Sequence, residues 1–225
     1  MKLHVIKPSV NNMAVRVLVR AAGLPVEEVD AYGQTRTEAF LALCPAHATP
    51  MLEDSGVHKG ALWESCAIMQ YLCNRHGLDK FYPTDPAARA KQDSAMLYTT
   101  GSLYPLVARA AYPRLGFPSY PGEVAASDAD PAAKEAARKA AEAAIPEILE
   151  VYRSFFLDGQ KFIGGSSPSI ADIRLAATVE FLRITDLAFP GWLEDYMAAV
   201  AGALGEAYAE PAADVRGYID YARSR

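Results

Sequence analysis

A few short stretches hold residues whose types and spacing can do chemistry. Ser9 comes just after a strand-like run at 3–6 and just before a helical stretch at 11–22. Its hydroxyl can satisfy the free amides of that helix, or it can face a ligand at the turn. In the run Ala48, Thr49, Pro50, Met51, the proline stands at the first position of a strand-like segment. It is either an ordinary edge residue or the site of a cis bond that turns backbone groups toward a cleft. Glu64 and Ser65 open the third helical stretch, with Ser65 as the expected cap. The pair reads as a plain cap beside an exposed acid, or as a receptor for an amino-acid head group. In the second case the helix amides and the hydroxyl take a carboxylate, and Glu64 takes the ammonium. Ser169 and Asp172, three residues apart, read as a reciprocal helix cap. No Cys-x-x-Cys occurs, which disfavours dithiol exchange.

The elements that must position these residues follow from hydrophobic spacing. The segment 3–6 reads as a strand. In 11–22, Ala14, Val17, Leu18 and Ala21 share one helical face, and Gly23 is the stop. The segment 25–30 reads as a strand, 35–43 as a short helix, and 51–54 with 57–61 as two strands about a Ser55, Gly56 turn. From Ser65 the apolar residues Ile68, Met69, Leu72 and Cys73 recur at helical spacing until Gly77. The order βαβαββα is thioredoxin-like, and it defines an expected α/β domain over 1–78. A linker at 79–88 and an all-helical domain over 89–225 follow. Asp85 before Pro86 and Asp130 before Pro131 are written as helix starts. The helix from 131 is expected to turn Ala137, Ala140, Ala141, Ala144, Ile148, Leu149, Tyr152 and Phe155 inward, with Lys134, Glu135, Arg138, Lys139 and Glu142 in water. Pro146 is expected to bend or divide it.

Composition narrows the function. The chain has 225 residues, 51 % of them hydrophobic and 22 % charged, which is enough for a sizeable core. A net charge of −5 with no basic run argues against a nucleic-acid partner. No uncharged apolar stretch approaches the length of a membrane span. Three cysteines make a disulfide framework unexpected, and Met1 and Lys2 lead straight into a strand, so a cytoplasmic protein is expected. Two classes remain: a small-molecule enzyme with its site between the two units, and a binding or scaffold module.

Taken together, the stretches resemble the cytosolic glutathione transferases, and are most similar to the serine-type theta and delta-like classes. The resemblance spans nearly the whole chain. It rests on Ser9 six residues before Val15, on the run from Pro45 to Leu52, and on the run from Ala61 to Ile68 with Tyr71 and Leu72. Gly101, Ser102, Leu103, Tyr104, Tyr112 and Pro113 match as well, as do Ser169, Ile170, Ala171 and Asp172. The resemblance implies a thioredoxin-like α/β domain followed by an all-α domain, and glutathione as co-substrate with no cofactor or metal. By the same resemblance glutathione lies extended against Thr49 and a cis Pro50. Its γ-glutamyl end lies on Ser65 and Glu64, its glycine carboxylate near His47, and its sulfur receives a hydrogen bond from Ser9. Tyr104, Val107, Tyr112 and Phe117 are implied to line an apolar electrophile pocket formed by the first long helix and the loop after it. Conjugation of the thiolate to small hydrophobic electrophiles, a detoxifying activity, is the implied function, with a non-catalytic ligand carrier or scaffold as the alternative. Homodimerisation is expected through an apolar surface of the third helix at Cys66, Met69 and Cys73. The chain departs from the family pattern at Asn11 and Asn12, which can contribute to the sulfur site. It departs again at Cys66, where delta-like members often carry arginine.

Overall fold

A computed structural model of the chain describes residues 1–117 and 130–225. β1 (Lys2–Val5), β2 (Glu27–Asp30), β3 (Met51–Glu53) and β4 (Ala61–Trp63) form a four-stranded mixed sheet in the order β2-β1-β3-β4. β1 runs parallel to β2 and antiparallel to β3, pairing His4 with Met51, and β3 runs antiparallel to β4. Between them stand α1 (Val10–Ala21), α2 (Glu38–Leu43) and, after β4, α3 (Ser65–His76). Strand alternation sends Leu3, Val5 and Leu52 into the main core with α1 and α3. Met51 goes to the opposite face, against Phe40 and Cys44 near α2. The strand expected over 57–61 is instead a turn. Lys59 has φ 53° and Gly60 φ 76°, and pairing begins only at Ala61. Two successive left-handed residues cannot take part in a ladder.

The rest of the described chain is helical. α4 (Pro86–Tyr98) starts where Asp85 accepts from the Ala88 amide at 2.8 Å, and a π-helical turn, Thr99–Leu103, carries it into α5 (Tyr104–Leu115). α6 (Pro131–Val151) starts where Asp130 accepts from Ala132 at 2.9 Å, and a second π-helical turn, Tyr152–Leu157, follows it. Next come α7 (Ile170–Glu180), α8 (Gly191–Leu204) and α9 (Glu206–Arg223). Both Asp-Pro pairs therefore start helices. α6 runs through Pro146 undivided, with that residue on its exposed side.

Facing along α6 differs from the periodic reading. Ala137, Ala140 and Phe155 are exposed, and Arg138 is buried beside Glu135 and Glu142. Only the C-terminal half of the helix lies on the core, so among the described residues nothing covers the alanines in its first turns. The guanidinium is held by two carboxylates on its own helix. The expected apolar surface on α3 is also absent: Met69 and Cys73 are buried within the chain, and burial pushes the Cys73 thiol up to about 12. Spacing marks a buried face without saying which chain covers it.

α7 is the centre of the helical domain, with every residue buried. Ser169 and Asp172 form the reciprocal cap expected of them. The Asp172 carboxylate also accepts from the Ile163 and Gly164 amides and from the Tyr196 hydroxyl. At the other end Glu180 accepts from the Tyr208 hydroxyl at 2.7 Å, Arg183 at 2.8 Å and Arg216 at 2.7 and 2.9 Å. Burial alone would raise its pKa. The hydrogen bonds from Arg216, the Arg183 charge and the Tyr208 hydroxyl outweigh burial and hold it below the ordinary 4.5. A depressed carboxylate stabilises the fold above its unfolded pKa and ceases to do so as pH falls through the folded value. Glu180→Gln is therefore expected to cost about 2 kcal/mol at pH 7, below the ~3–5 kcal/mol for breaking a fully buried pair because both arginines stay partly in water. It should also flatten the loss of stability between pH 5 and pH 3. Urea midpoints across that range decide it, and identical pH slopes for the two proteins would contradict it.

The two units share α1, which lies in one core with Leu3, Val5 and Leu52 of the sheet and packs against α3, α7 and α9. The cover from α7 and α9 explains why nearly the whole helix is buried instead of a single face. Arg16, 1 % exposed, spans the joint from Glu28 at 3.1 Å to Asp214 at 2.8 Å.

Candidate functional site

At the N-terminus of α1, Ser9 has extended backbone at φ −80° and ψ 126°. Its amide donates to the Ile6 carbonyl and its carbonyl accepts from Met13. The hydroxyl makes no cap bond. Ser9 therefore occupies the cap position without capping, which leaves a donor and the first-turn amides of α1 unused at the turn.

The loop before β3 is tied to the same helix. Asn12, wholly buried, donates from its amide to the Thr49 hydroxyl at 3.1 Å, and the Thr49–Pro50 bond is cis. The sheet ladder starts at Met51, and among the described residues the backbone groups of Thr49 have no partner in it. His47, at φ 43°, is exposed in this loop.

The third piece corrects the sequence reading by one residue. The cap position of α3 belongs to Glu64, at φ 73° and ψ 113°, and Ser65 is the first helical residue. Neither side chain caps the helix. A glutamate in left-handed backbone costs of order 1–3 kcal/mol, and such strain collects where a side chain is held for a ligand. Glu64 is exposed while Ser65 is buried, so the acid stands outside the helix end and the hydroxyl lies within it.

α5 supplies the opposite wall. Asn11 donates from its amide to the Tyr104 hydroxyl at 2.9 Å, and that hydroxyl lies 2.6 Å from the Tyr112 hydroxyl. The Tyr112 ring meets Phe117 edge-on at 5.2 Å. Behind this wall the Tyr152 hydroxyl meets Thr99 at 2.7 Å, and burial pushes that phenol up.

Thr49, Pro50, Glu64, Ser65, Tyr104 and Tyr112 line one cavity of about 440 Å³, together with Asn11, Ala48, Thr100 and Arg174. Six of the residues selected from the sequence are thus brought together from three separate segments: the loop before β3, the start of α3, and α5. Ser9 and His47 stand at neighbouring turns and do not line it. Val107 is wholly buried in the core, and Phe117 is half-buried against Phe181 and Tyr218. Neither touches the cavity, because on α5 the side of the helix that carries Val107 turns inward. The loop expected after the first long helix to complete this pocket falls on residues 118–129, outside the described residues. A separate depression of about 350 Å³, around Lys161 and Trp192, contains none of the selected residues. Among the described residues no cluster of His, Cys, Asp and Glu is arranged to hold a metal, and no helix is long and apolar enough to cross a membrane.

Sequence reasoning passed over Arg174. The signal was present: a charge with Ile170, Ala171, Ala177 and Thr178 at its helical neighbours shares their face and is buried with them.

The family profile described as glutathione S-transferase, N-terminal domain, matches residues 1–74, and that described as glutathione S-transferase, C-terminal domain, matches 131–203. Among solved structures, the chain is similar to a delta-class glutathione transferase of Nilaparvata lugens at 26 % identity and TM-score 0.74, over 98 % of this chain and 99 % of that one. Human glutathione-S-transferase T1-1 shares the fold at TM-score 0.81 and 23 % identity, over 100 % of this chain and 91 % of that one. A theta-class enzyme of the citrus canker pathogen Xanthomonas axonopodis pv. citri, solved with glutathione bound, does so at 0.72 and 23 %, over 92 % and 98 %.

Proposed function

The chain belongs to the glutathione S-transferase family, and from that premise we propose that it conjugates the glutathione thiolate to small hydrophobic electrophiles in the cytoplasm, a detoxifying activity. The observation that carries the reading is the meeting of Thr49, cis Pro50, Glu64 and Ser65 on one cavity that faces Tyr104 and Tyr112.

In this reading glutathione lies extended, with its cysteinyl backbone pairing to the unladdered groups of Thr49 as an added strand. The γ-glutamyl carboxylate sits on the first-turn amides of α3 and the Ser65 hydroxyl, and the α-ammonium on Glu64. The exposed His47 lies toward the glycine carboxylate. Ser9 donates a hydrogen bond from its hydroxyl to the sulfur, and the N-terminus of α1 adds positive potential, so the thiolate is favoured over the thiol. The displaced thiol proton goes to solvent. Sulfur then attacks the electrophilic carbon: a C–S bond forms, and the leaving group departs with its electron pair. Neither a general base nor a metal is required of the chain. Asn11 is the second choice for the sulfur donor, since one of its two amide N–H donors is spent on Tyr104.

Turnover of 1-chloro-2,4-dinitrobenzene with glutathione tests the proposal. Release of chloride with formation of the conjugate supports it, and glutathione binding without turnover would leave the ligand-carrier alternative.

We further infer a homodimer, on a different surface from the one the sequence suggested. Leu97 at the end of α4 is 68 % exposed, and Phe155 in the turn after α6 is 69 % exposed. Their elements touch through Tyr98 and Tyr152, whose rings are 5.5 Å apart. Exposed apolar residues on adjoining elements favour a covering partner. Sedimentation at micromolar concentration is expected to give twice the chain mass, and to give the mass of one chain for a Leu97→Glu, Phe155→Glu variant. A wild-type monomer would contradict the inference.

A further inference from the structure

Three arginines among the described residues are buried: Arg16 at 1 %, Arg138 at 3 % and Arg174 at 2 % exposure. The first two are neutralised. Arg16 meets Glu28 and Asp214, and Arg138 meets Glu135 and Glu142. Arg174 has no carboxylate within 4 Å among the described residues. Its Nη1 donates to the neutral Thr178 hydroxyl at 2.7 Å, its Nε is buried without a partner, and its guanidinium lies 5.3 Å from the centre of the Tyr104 ring. A buried cation without a counter-charge is destabilising, and proteins normally pair it or place it where a ligand completes the pair.

Its position says which. Arg174 lines the cavity that holds Thr49, Glu64 and Ser65, and it reaches that cavity from α7, on the same wall as Tyr104 and Tyr112. The proposed seats for the two carboxylates of glutathione lie elsewhere, at the start of α3 and at His47. The charge is therefore left for the second substrate.

We propose that Arg174 is a specificity-determining residue that selects electrophiles bearing an anionic group, a carboxylate above all, beside the carbon under attack. The inference rests on the transferase reading and narrows its substrate class. Guanidinium suits the task because it stays charged at any working pH and matches a carboxylate with paired donors. The neighbouring Tyr104 ring holds its plane in place. Lysine at the same position would keep the charge and lose the paired geometry.

The test compares 4-chloro-3-nitrobenzoate with 4-chloro-3-nitrobenzamide, which are nearly equal in shape and differ in charge. Rates are taken at saturating glutathione and normalised to the uncatalysed reaction of each compound. For the wild-type enzyme KM for the benzoate is expected to be at least tenfold below that for the amide. In Arg174→Met the ratio should fall to about one, and Arg174→Lys should restore part of it. The wild-type comparison stands even if Arg174→Met fails to fold. Turnover of both compounds with equal wild-type KM overturns this inference and leaves the transferase reading intact, whereas turnover of neither overturns both. A tenfold loss of glutathione affinity in Arg174→Met with an unchanged substrate ratio would place the anion on glutathione and also overturn it.

Discussion

Replacing Glu64 with alanine is expected to weaken glutathione binding by about 1.5 to 3 kcal/mol, the worth of one hydrogen bond to a charged group, or about tenfold to 150-fold in dissociation constant. The carboxylate makes no hydrogen bond or ion pair among the described residues, and it is exposed at the mouth of the cavity. Removing it should therefore leave the fold intact. Its left-handed backbone, φ 73°, is shared by any replacement, so Glu64→Gln isolates the charge at the same backbone cost. Calorimetry on both variants reads the effect. Affinity within twofold of wild type in either folded variant would remove Glu64 from the site.

The second large effect is on chemistry instead of binding. Ser9→Ala is expected to raise the pKa of the bound glutathione thiol by about one to two units, because one charge-assisted hydrogen bond to sulfur is lost. If the wild-type complex titrates about two units below an ordinary thiol at 8.5, the thiolate fraction at pH 7 drops by about threefold to about 25-fold. Turnover should fall with it and recover as pH rises, since hydroxide then supplies the thiolate that the protein no longer favours. Stability should fall by less than the ~1 kcal/mol of a lost cap, since the hydroxyl makes no cap bond. An unchanged pH–rate profile at saturating glutathione would contradict the assignment and move attention to Asn11.

What could be read from the sequence follows a physical division. Elements set by local signals came through: Gly23 and Gly77 stand at left-handed helix ends, the two Asp-Pro pairs start α4 and α6, and Ser169 with Asp172 closes a reciprocal cap. Features set by backbone sign did not. Nothing in the residue types marks Lys59 or Glu64 as left-handed, so the residue pattern starts the fourth strand four residues early and puts the cap of α3 at Ser65, one residue late. Burial on α3 and α6 depends on which neighbour arrives, and periodicity cannot supply that for Met69, Cys73 or Arg138. Site residues carried by a resembling motif, such as Thr49, Pro50 and Glu64, converge on one cavity. Val107 and Phe117, implied by the same resemblance to line the electrophile pocket, are not among the residues that line the cavity: Val107 is buried in the core and Phe117 packs against Phe181 and Tyr218. The neighbours of Arg174 mark it as buried, and only the cavity shows that it faces a site.

The central claim is that this chain holds glutathione with its sulfur ionised at neutral pH. Ultraviolet titration of thiolate absorbance in the wild-type complex, saturated with glutathione, measures that without an electrophile or a variant. The predicted midpoint lies about two units below the 8.5 of an ordinary thiol. A midpoint equal to that of free glutathione, under verified saturation, would contradict it.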